Sequence, residues 1–335
     1  MHQAADVDAA VAVRSARVRA AAAWAPPPHT AALVGSDDEL LAGTLPYVEE
    51  GLHAGDLVVL ACPPHTAALI SGALGVRAGA VETDARLCLL DASVPDAVTA
   101  LGELVRRATG TGSGRLRLAG QVQFGPAPRN WREGLRYEAA MNELLSRMPV
   151  SALCLYDRRV LPADVIAAAG ATHASVLADG RSRRSAGFRD PADFVRELPL
   201  PREAVEDAPP VLAIEDAPSL AGLRRHLRVA IGAQVRDGDQ AADLHLAASE
   251  IAANAFRHGA RPVSARVWAD AERIVCTVTD RGRGLDVPFA GIRPAHGPDL
   301  TRGGMGLWLA RKLWDHVDLL PAAPGLTVRL SSRLR

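Results

Sequence analysis

The apolar positions along this 335-residue chain fall into two successive rhythms. From residue 30 to about 177, short apolar runs alternate with longer amphipathic stretches. Ala31 to Val34 precedes a helical pattern from Asp37 to Leu52, and Asp56 to Cys62 (DLVVLAC) precedes Pro63-Pro64 and a helix from His65 to Leu74. Arg86 to Leu90 (RLCLL) reads as a strand before a helix from Val94 to Thr109. Arg115 to Ala119 (RLRLA) reads as another, before a long helix from Trp131 to Met148. Ser151 to Tyr156 (SALCLY) is a further buried strand ending at Asp157. Continuous apolar strands separated by helices imply a parallel sheet covered on both faces, because such strands have no polar side to alternate with.

After Asp179 the pattern breaks. Arg181 to Ser185 (RSRRS) reads as a basic turn, and Pro191, Pro199, Pro201, Pro209 and Pro210 punctuate an acidic stretch, so residues 179–209 read as a linker. A second rhythm then begins. Pro210 to Ile214 is a strand, and Ser219 to Gln234 a helix with Leu220, Leu223, Leu227 and Ile231 on one face. Asp239 to Arg257 is a second helix. Val263 to Ala269 and Arg273 to Thr279 form a hairpin around Asp270-Ala271-Glu272, and Gly325 to Ser331 closes the sheet. This predicts an α+β unit with helices against one face of a mixed sheet. The expected organisation is a flexible tail (1–28), an α/β domain (29–178), the linker, and an α+β domain (210–335).

Composition narrows the function classes. The formal net charge is +0 and the pI about 7.2, so no global field argues for direct nucleic-acid binding or an anionic membrane. Residues 1–25 are interrupted by Arg14, Arg17 and Arg19, and no clean apolar run of about 18 residues follows, so the expectation is a soluble, cytoplasmic protein. Lys312 is the single lysine, which excludes a Walker-A lysine. Cys62, Cys88, Cys154 and Cys276 are scattered without a CxxC, so their spacing signals no zinc site and they read as reduced core residues.

Three stretches carry candidate chemistry. Ser249 to Gly259 (SEIAANAFRHG) reads as a helix end, with Leu246, Ile251 and Phe256 as apolar contacts. Glu250 and Asn254, four apart, share a face that His258 continues. A carboxylate can take a proton from an attacking hydroxyl, and a carboxamide oxygen is a hard ligand for Mg²⁺. Thr277 to Leu285 (TVTDRGRGL) is a β-branched strand running into Asp-x-Gly-x-Gly, where Asp280 can accept from an exocyclic amine. Arg302 to Leu307 (RGGMGL) is a glycine-rich loop opening a helix from Leu307 to Leu313, a natural phosphate cradle. Leu309, Leu313 and Trp314 read as core.

In this order the trio resembles the N, G1 and G2 boxes of the GHKL (Bergerat-fold) ATPases, and Ser-Glu-x3-Asn-Ala-x2-His-Gly is most similar to the anti-sigma-factor serine kinases. The resemblance covers about residues 207–335. It implies ATP with Mg²⁺ as cofactors, Glu250 as general base, and Asn254 as Mg²⁺ ligand. Asp280 would read adenine with Gly282 and Gly284 shaping the wall, Gly304, Gly306 and Leu307 would present amides to phosphate, and His258 would continue the binding face. The short gap between Gly284 and Gly303 implies an abbreviated ATP lid. The first domain resembles the MEDS, or DcmR-type, sensory domain, a RecA-like fold without its P-loop. The likeness rests on Glu49-Glu50-Gly51-Leu52 with Gly55-Asp56, Trp131, Tyr137-Glu138, Leu153 to Asp157, and His173. Trp131, Tyr137, Glu138, Asp157 and His173 either anchor the helices or line a pocket at the C-terminal sheet edge, where open α/β folds place ligands. The resulting expectation is an ATP-dependent protein-serine kinase with anti-sigma character. Its partners would be a sigma factor and a STAS-type antagonist, its gate a small-molecule ligand on the first domain. The alternatives are a non-catalytic ATP-binding partner module and an atypical histidine kinase, and the resemblance allows a homodimer.

Overall fold

The computed structural model describes residues 28–110, 112–178, 181–294 and 305–335. The tail expected over residues 1–28 lies, apart from Pro28, outside them.

Two sheets organise the chain. The first contains β1 (His29–Val34), β2 (Leu57–Ala61), β3 (Glu82–Thr83), β4 (Leu116–Gly120), β5 (Val150–Asp157), β6 (Ser175–Ala178) and β7 (Arg181–Arg184), in the order β3-β2-β4-β5-β1-β6-β7. All neighbours are parallel except β6 and β7. Successive residues point to opposite faces, and both faces are covered. Ala32, Val34, Val58 and Leu60 pack with α1 (Asp37–Ala54) and α2 (Pro64–Leu74). Ala31, Val59, Leu116 and Leu118 pack with α3 (Val94–Ala108), α4 (Pro128–Leu145) and α5 (Ala163–Thr172). Local signals fix the helix ends: Ser36 accepts from the Glu39 amide, Gly55 closes α1 at φ 75°, and Ser93 and Asp96 form a capping box.

The second sheet is antiparallel throughout, not mixed. It comprises β8 (Leu212–Ile214), β9 (Ser264–Ala269), β10 (Arg273–Asp280), β11 (His316–Pro321) and β12 (Leu326–Arg333), in the order β11-β12-β10-β9-β8. The unanticipated strand β11 pairs with β12 and leaves no parallel partner for either. One face is covered by α7 (Leu220–Gln234), α8 (Gly238–His258) and α9 (Gly306–Leu313), whose Leu223, Leu227, Ile231, Leu244, Ala248 and Ile251 meet Val267, Ile274, Cys276 and Leu330. Trp314 is buried there, as expected, with Leu309 and Leu313 partly buried beside it.

Several expectations need correction. RLCLL is not a strand: Ala85–Cys88 is a 3-10 helix, and positive φ at Leu89 (61°) and Asp91 (51°) breaks the extended path. The basic turn is the exposed edge strand β7, whose four residues, three of them arginines, discourage further pairing. The linker stretch also holds α6 (Pro191–Glu197), whose Phe194 and Val195 are buried beside Ala139 of α4. Leu246 is 49 % exposed, while Ile251 is buried and Phe256 partly so. All four cysteines are buried and free. Among the described residues, no helix is long and apolar enough to cross a membrane.

Candidate functional site

Helix α8 is capped by Asp237, which accepts from the Asp239 and Gln240 amides, and its Ile251, Ala252 and Ala255 stripe fixes it on the sheet. That rotation leaves Asn254 and His258 beside the end of β10, where Asp280 is 9 % exposed. Asp280 Oδ1 accepts from the Gly282 amide at 2.7 Å. The backbone is close here: a Cβ on Gly282 would come within 2.8 Å of Asp280 Oδ1 and 2.9 Å of Gly259 Cα, and one on Gly259 would collide with the Asp280 carboxylate. Gly306, opening α9, sits against the Asn254 carboxamide, where a Cβ would lie 2.5 Å from Nδ2.

A cavity of about 270 Å³ is lined by Asn254, His258, Asp280, Gly284 and Leu307, with Val278 and Val328 as apolar wall. A second cavity of about 390 Å³ shares Asn254 and Leu307 and reaches Glu143 and Leu144 of α4. Of the expected site residues, Gly282 and Gly306 stand behind this wall as close-approach positions, and Gly304 lies outside the described residues. Glu250 is not brought in. Its side chain, 38 % exposed, turns to α7, where Oε1 accepts from Arg224 Nη2 at 3.3 Å. Four residues advance a helix about 40° beyond one turn, enough for Glu250 to meet a guanidinium that sequence spacing does not reveal.

The donor set fits a magnesium nucleotide. Among the described residues Asn254 makes no side-chain hydrogen bond and Asp280 makes just the one to Gly282, so both keep acceptor capacity toward the cavity. Asn254 could hold Mg²⁺, and Asp280 an exocyclic amine. The α9 N-terminus faces the same space through Leu307 and fits an anion.

Sequence reasoning missed what borders this site. The segment after Gly284 runs back over the first domain, where Ile292 is 3 % exposed within the core built by α3, α4 and α5, and Phe289 packs beside it. Arg311 of α9 donates to Ala290 O at 2.8 Å and anchors the segment from the other side. Burial, with Arg136 beside it, lowers the Arg311 guanidinium to about 10, still charged at neutral pH. Below it, Arg132 of α4 donates to Asp318 Oδ1 at 2.7 Å, and Arg329 donates to Asp318 Oδ2 through Nε (3.1 Å) and Nη2 (2.7 Å). Burial alone would raise the Asp318 carboxyl, but Arg132, Arg329 and Arg136 hold it below its ordinary value. An Ile after a glycine turn and scattered arginines carry no local signal of such contacts.

The five residues expected to line one pocket at the C-terminal edge of the first sheet do not: a cavity of about 480 Å³ lies there, but of the five it is Asp157 alone that lines it, with Asp37, His65 and Thr66. Asp157 stands there, held by Arg159. Tyr137 is buried and donates to Leu87 O, and Trp131 donates to Gly125 O. Glu138 and His173 meet instead at the opposite end, beside the start of β1. A β-strand separates its two ends by about 3.3 Å per residue, so these five residues cannot share one ligand.

Comparison with known families gives two matches. Residues 28–174 match the model of MEDS, the MEthanogen/methylotroph, DcmR Sensory domain. Residues 214–332 match that of the histidine kinase-like ATPase domain. No curated protein matches the chain.

Proposed function

From a chain laid out as an N-terminal MEDS domain plus a C-terminal GHKL-type ATPase domain, we propose a cytoplasmic signalling regulator that binds Mg²⁺–ATP and phosphorylates a serine of a partner protein. The partner is a STAS-type antagonist, the regulated target a sigma factor, and a small molecule on the MEDS domain is the gate. The observation that carries the reading is the cavity where the unengaged acceptors of Asn254 and Asp280 converge at the α9 N-terminus. Bound there, Mg²⁺–ATP supplies the phosphoryl group and neutralises its charge. Asn254 holds the metal, Asp280 orients the base, and Val278 and Val328 shield it from water. Glu250, on release from Arg224, takes the proton of the target hydroxyl. Gating is supported by Ile292: the segment bordering the nucleotide cavity is seated in the first domain's core, so a ligand that favours one seating over another shifts the equilibrium.

A second reading has its own support. Glu250 is ion-paired to Arg224 and does not line the cavity, as suits a module that binds nucleotide and partner but transfers nothing. Incubation with γ-labelled ATP and co-encoded partner candidates separates the two. The kinase yields acid-stable phosphoserine that Glu250→Ala abolishes while nucleotide binding persists, and Asn254→Ala loses both. Bound ATP without transfer to any candidate supports the binder, and acid-labile phosphate a histidine kinase.

A further inference from the structure

Deep in the first domain, four side chains from four elements converge: His29 at the start of β1, Glu138 of α4, Cys154 of β5 and His173 just after α5. Their ligand atoms all lie within 4.8 Å of one another, and every one of these residues is buried. His29 Nε2 is 3.1 Å from Glu138 Oε2 and 3.3 Å from Cys154 Sγ, and His173 Nε2 is 3.3 Å from Glu138 Oε2. A tetrahedron with metal–ligand bonds of about 2.0–2.3 Å has edges of about 3.3–3.8 Å. Three of the six separations, at 3.1, 3.3 and 3.3 Å, lie at or just under that spacing, and the others fall within 4.8 Å.

The surroundings fix what these atoms present. Asn142 Nδ2 donates to Thr172 O at 2.7 Å, which turns its Oδ1 to His29 Nδ1 at 3.2 Å, so that Nδ1 carries the proton and His29 Nε2 offers a lone pair inward. His173 Nδ1 lies 3.1 Å from Ala169 O, an acceptor, so its Nε2 also offers a lone pair inward. Both imidazole lone pairs therefore face a carboxylate. Acceptors turned on one another in a dry site repel unless a cation lies among them. Consistent with this, Glu138 Oε1 and His173 Nε2 are buried with no hydrogen-bond partner, the condition that calls for an ion or water.

We propose that His29, Glu138, Cys154 and His173 form a closed four-ligand site for a Zn²⁺-type transition-metal ion. Two imidazoles, a thiolate and a carboxylate suit a borderline ion over Mg²⁺ or Ca²⁺, and four protein ligands leave no open coordination position, as in structural sites. Asn142 and the Ala169 carbonyl are the positioning partners of the two histidines. The ion would tie β1, β5, α4 and the end of α5 together, and α4 also carries Arg132 and Arg136 to the second domain.

The test uses the full-length chain from zinc-supplemented cells, with metal content measured by mass spectrometry after desalting, and the chain refolded with Co²⁺ alone for its absorption spectrum. The expected result is about one Zn²⁺ per chain and a thiolate-to-cobalt charge-transfer band with tetrahedral d–d intensity. Cys154→Ser should lose the band, and Asn142→Ala should weaken metal affinity about 10–100-fold while leaving all four ligands in place. A wild-type chain that emerges without Zn²⁺ and gives no cobalt–thiolate band overturns the proposal, whether or not the variants fold. So does an unchanged band in folded Cys154→Ser.

Discussion

Replacing Asp318 by asparagine removes one charge from the contact between the two domains while keeping the side chain's shape. Asp318 is fully buried, Arg132 is 4 % exposed and Arg329 1 %, so water cannot replace the lost partner. The carboxylate accepts three charge-assisted hydrogen bonds, at 2.7, 3.1 and 2.7 Å. Breaking a buried ion pair costs about 3–5 kcal/mol, because the remaining charge stays desolvated, whereas an exposed pair contributes about 0–1 kcal/mol. Both arginines keep other acceptors: Arg132 donates to Pro199 O, and Arg329 to Pro201 O and Glu206. The lower end applies, about 3 kcal/mol. Urea unfolding followed by far-ultraviolet circular dichroism should show the midpoint fall with little change in slope. The pH dependence is a second readout. A carboxyl held below its ordinary value stabilises fully above that value, 3.8, and the contribution fades as pH falls through the lowered folded value. The variant should lack that acid component. A loss under about 1 kcal/mol, the figure for an exposed pair, together with an unchanged acid profile, would refute the buried-network argument.

Other outcomes follow from the same structure. Burial, with Arg129 nearby, lowers His316 to about 3. The unfolded chain then binds a proton the folded chain does not, so stability should decline by up to about 1.4 kcal/mol per pH unit below about 6.5, and His316→Gln should flatten that slope in acid titrations. Gly306→Ala places a Cβ 2.5 Å from Asn254 Nδ2, so ATP affinity measured by calorimetry should fall at least about tenfold, or roughly 1.4 kcal/mol. Arg224→Ala releases Glu250 from its ion pair; initial phosphotransfer should rise if Glu250 is the base, and no change would favour the non-catalytic reading. Ile292→Asp puts a carboxylate into an apolar core and should free the cavity's bordering segment, seen as faster amide exchange over residues 285–294.

How much of this was legible in the sequence depended on range. Glu250, Asn254 and His258 lie on one helix, so their shared periodicity was readable, and Asp280 closing β10 followed from a β-branched run meeting glycines. Both sheets were legible where an apolar run had a local period: DLVVLAC and SALCLY became strands, and Leu223, Leu227 and Ile231 a buried stripe. RLCLL failed because an apolar run does not encode the positive φ at Leu89, and His316–Pro321 because its pairing is set by β12.

The chain by itself determined most of its local elements and the spacing of the candidate motifs that lie within one helix or one turn. Tertiary structure alone decided that Glu250 would turn to Arg224, that Ile292 would enter the other domain's core, and that His29, Glu138, Cys154 and His173, spread over 145 positions, would meet. The division has a physical cause. Hydrogen-bond periodicity and side-chain alternation act over a few residues and leave their mark in the text. Burial brings distant positions together through the packing of whole elements, and no short stretch records which of them will touch.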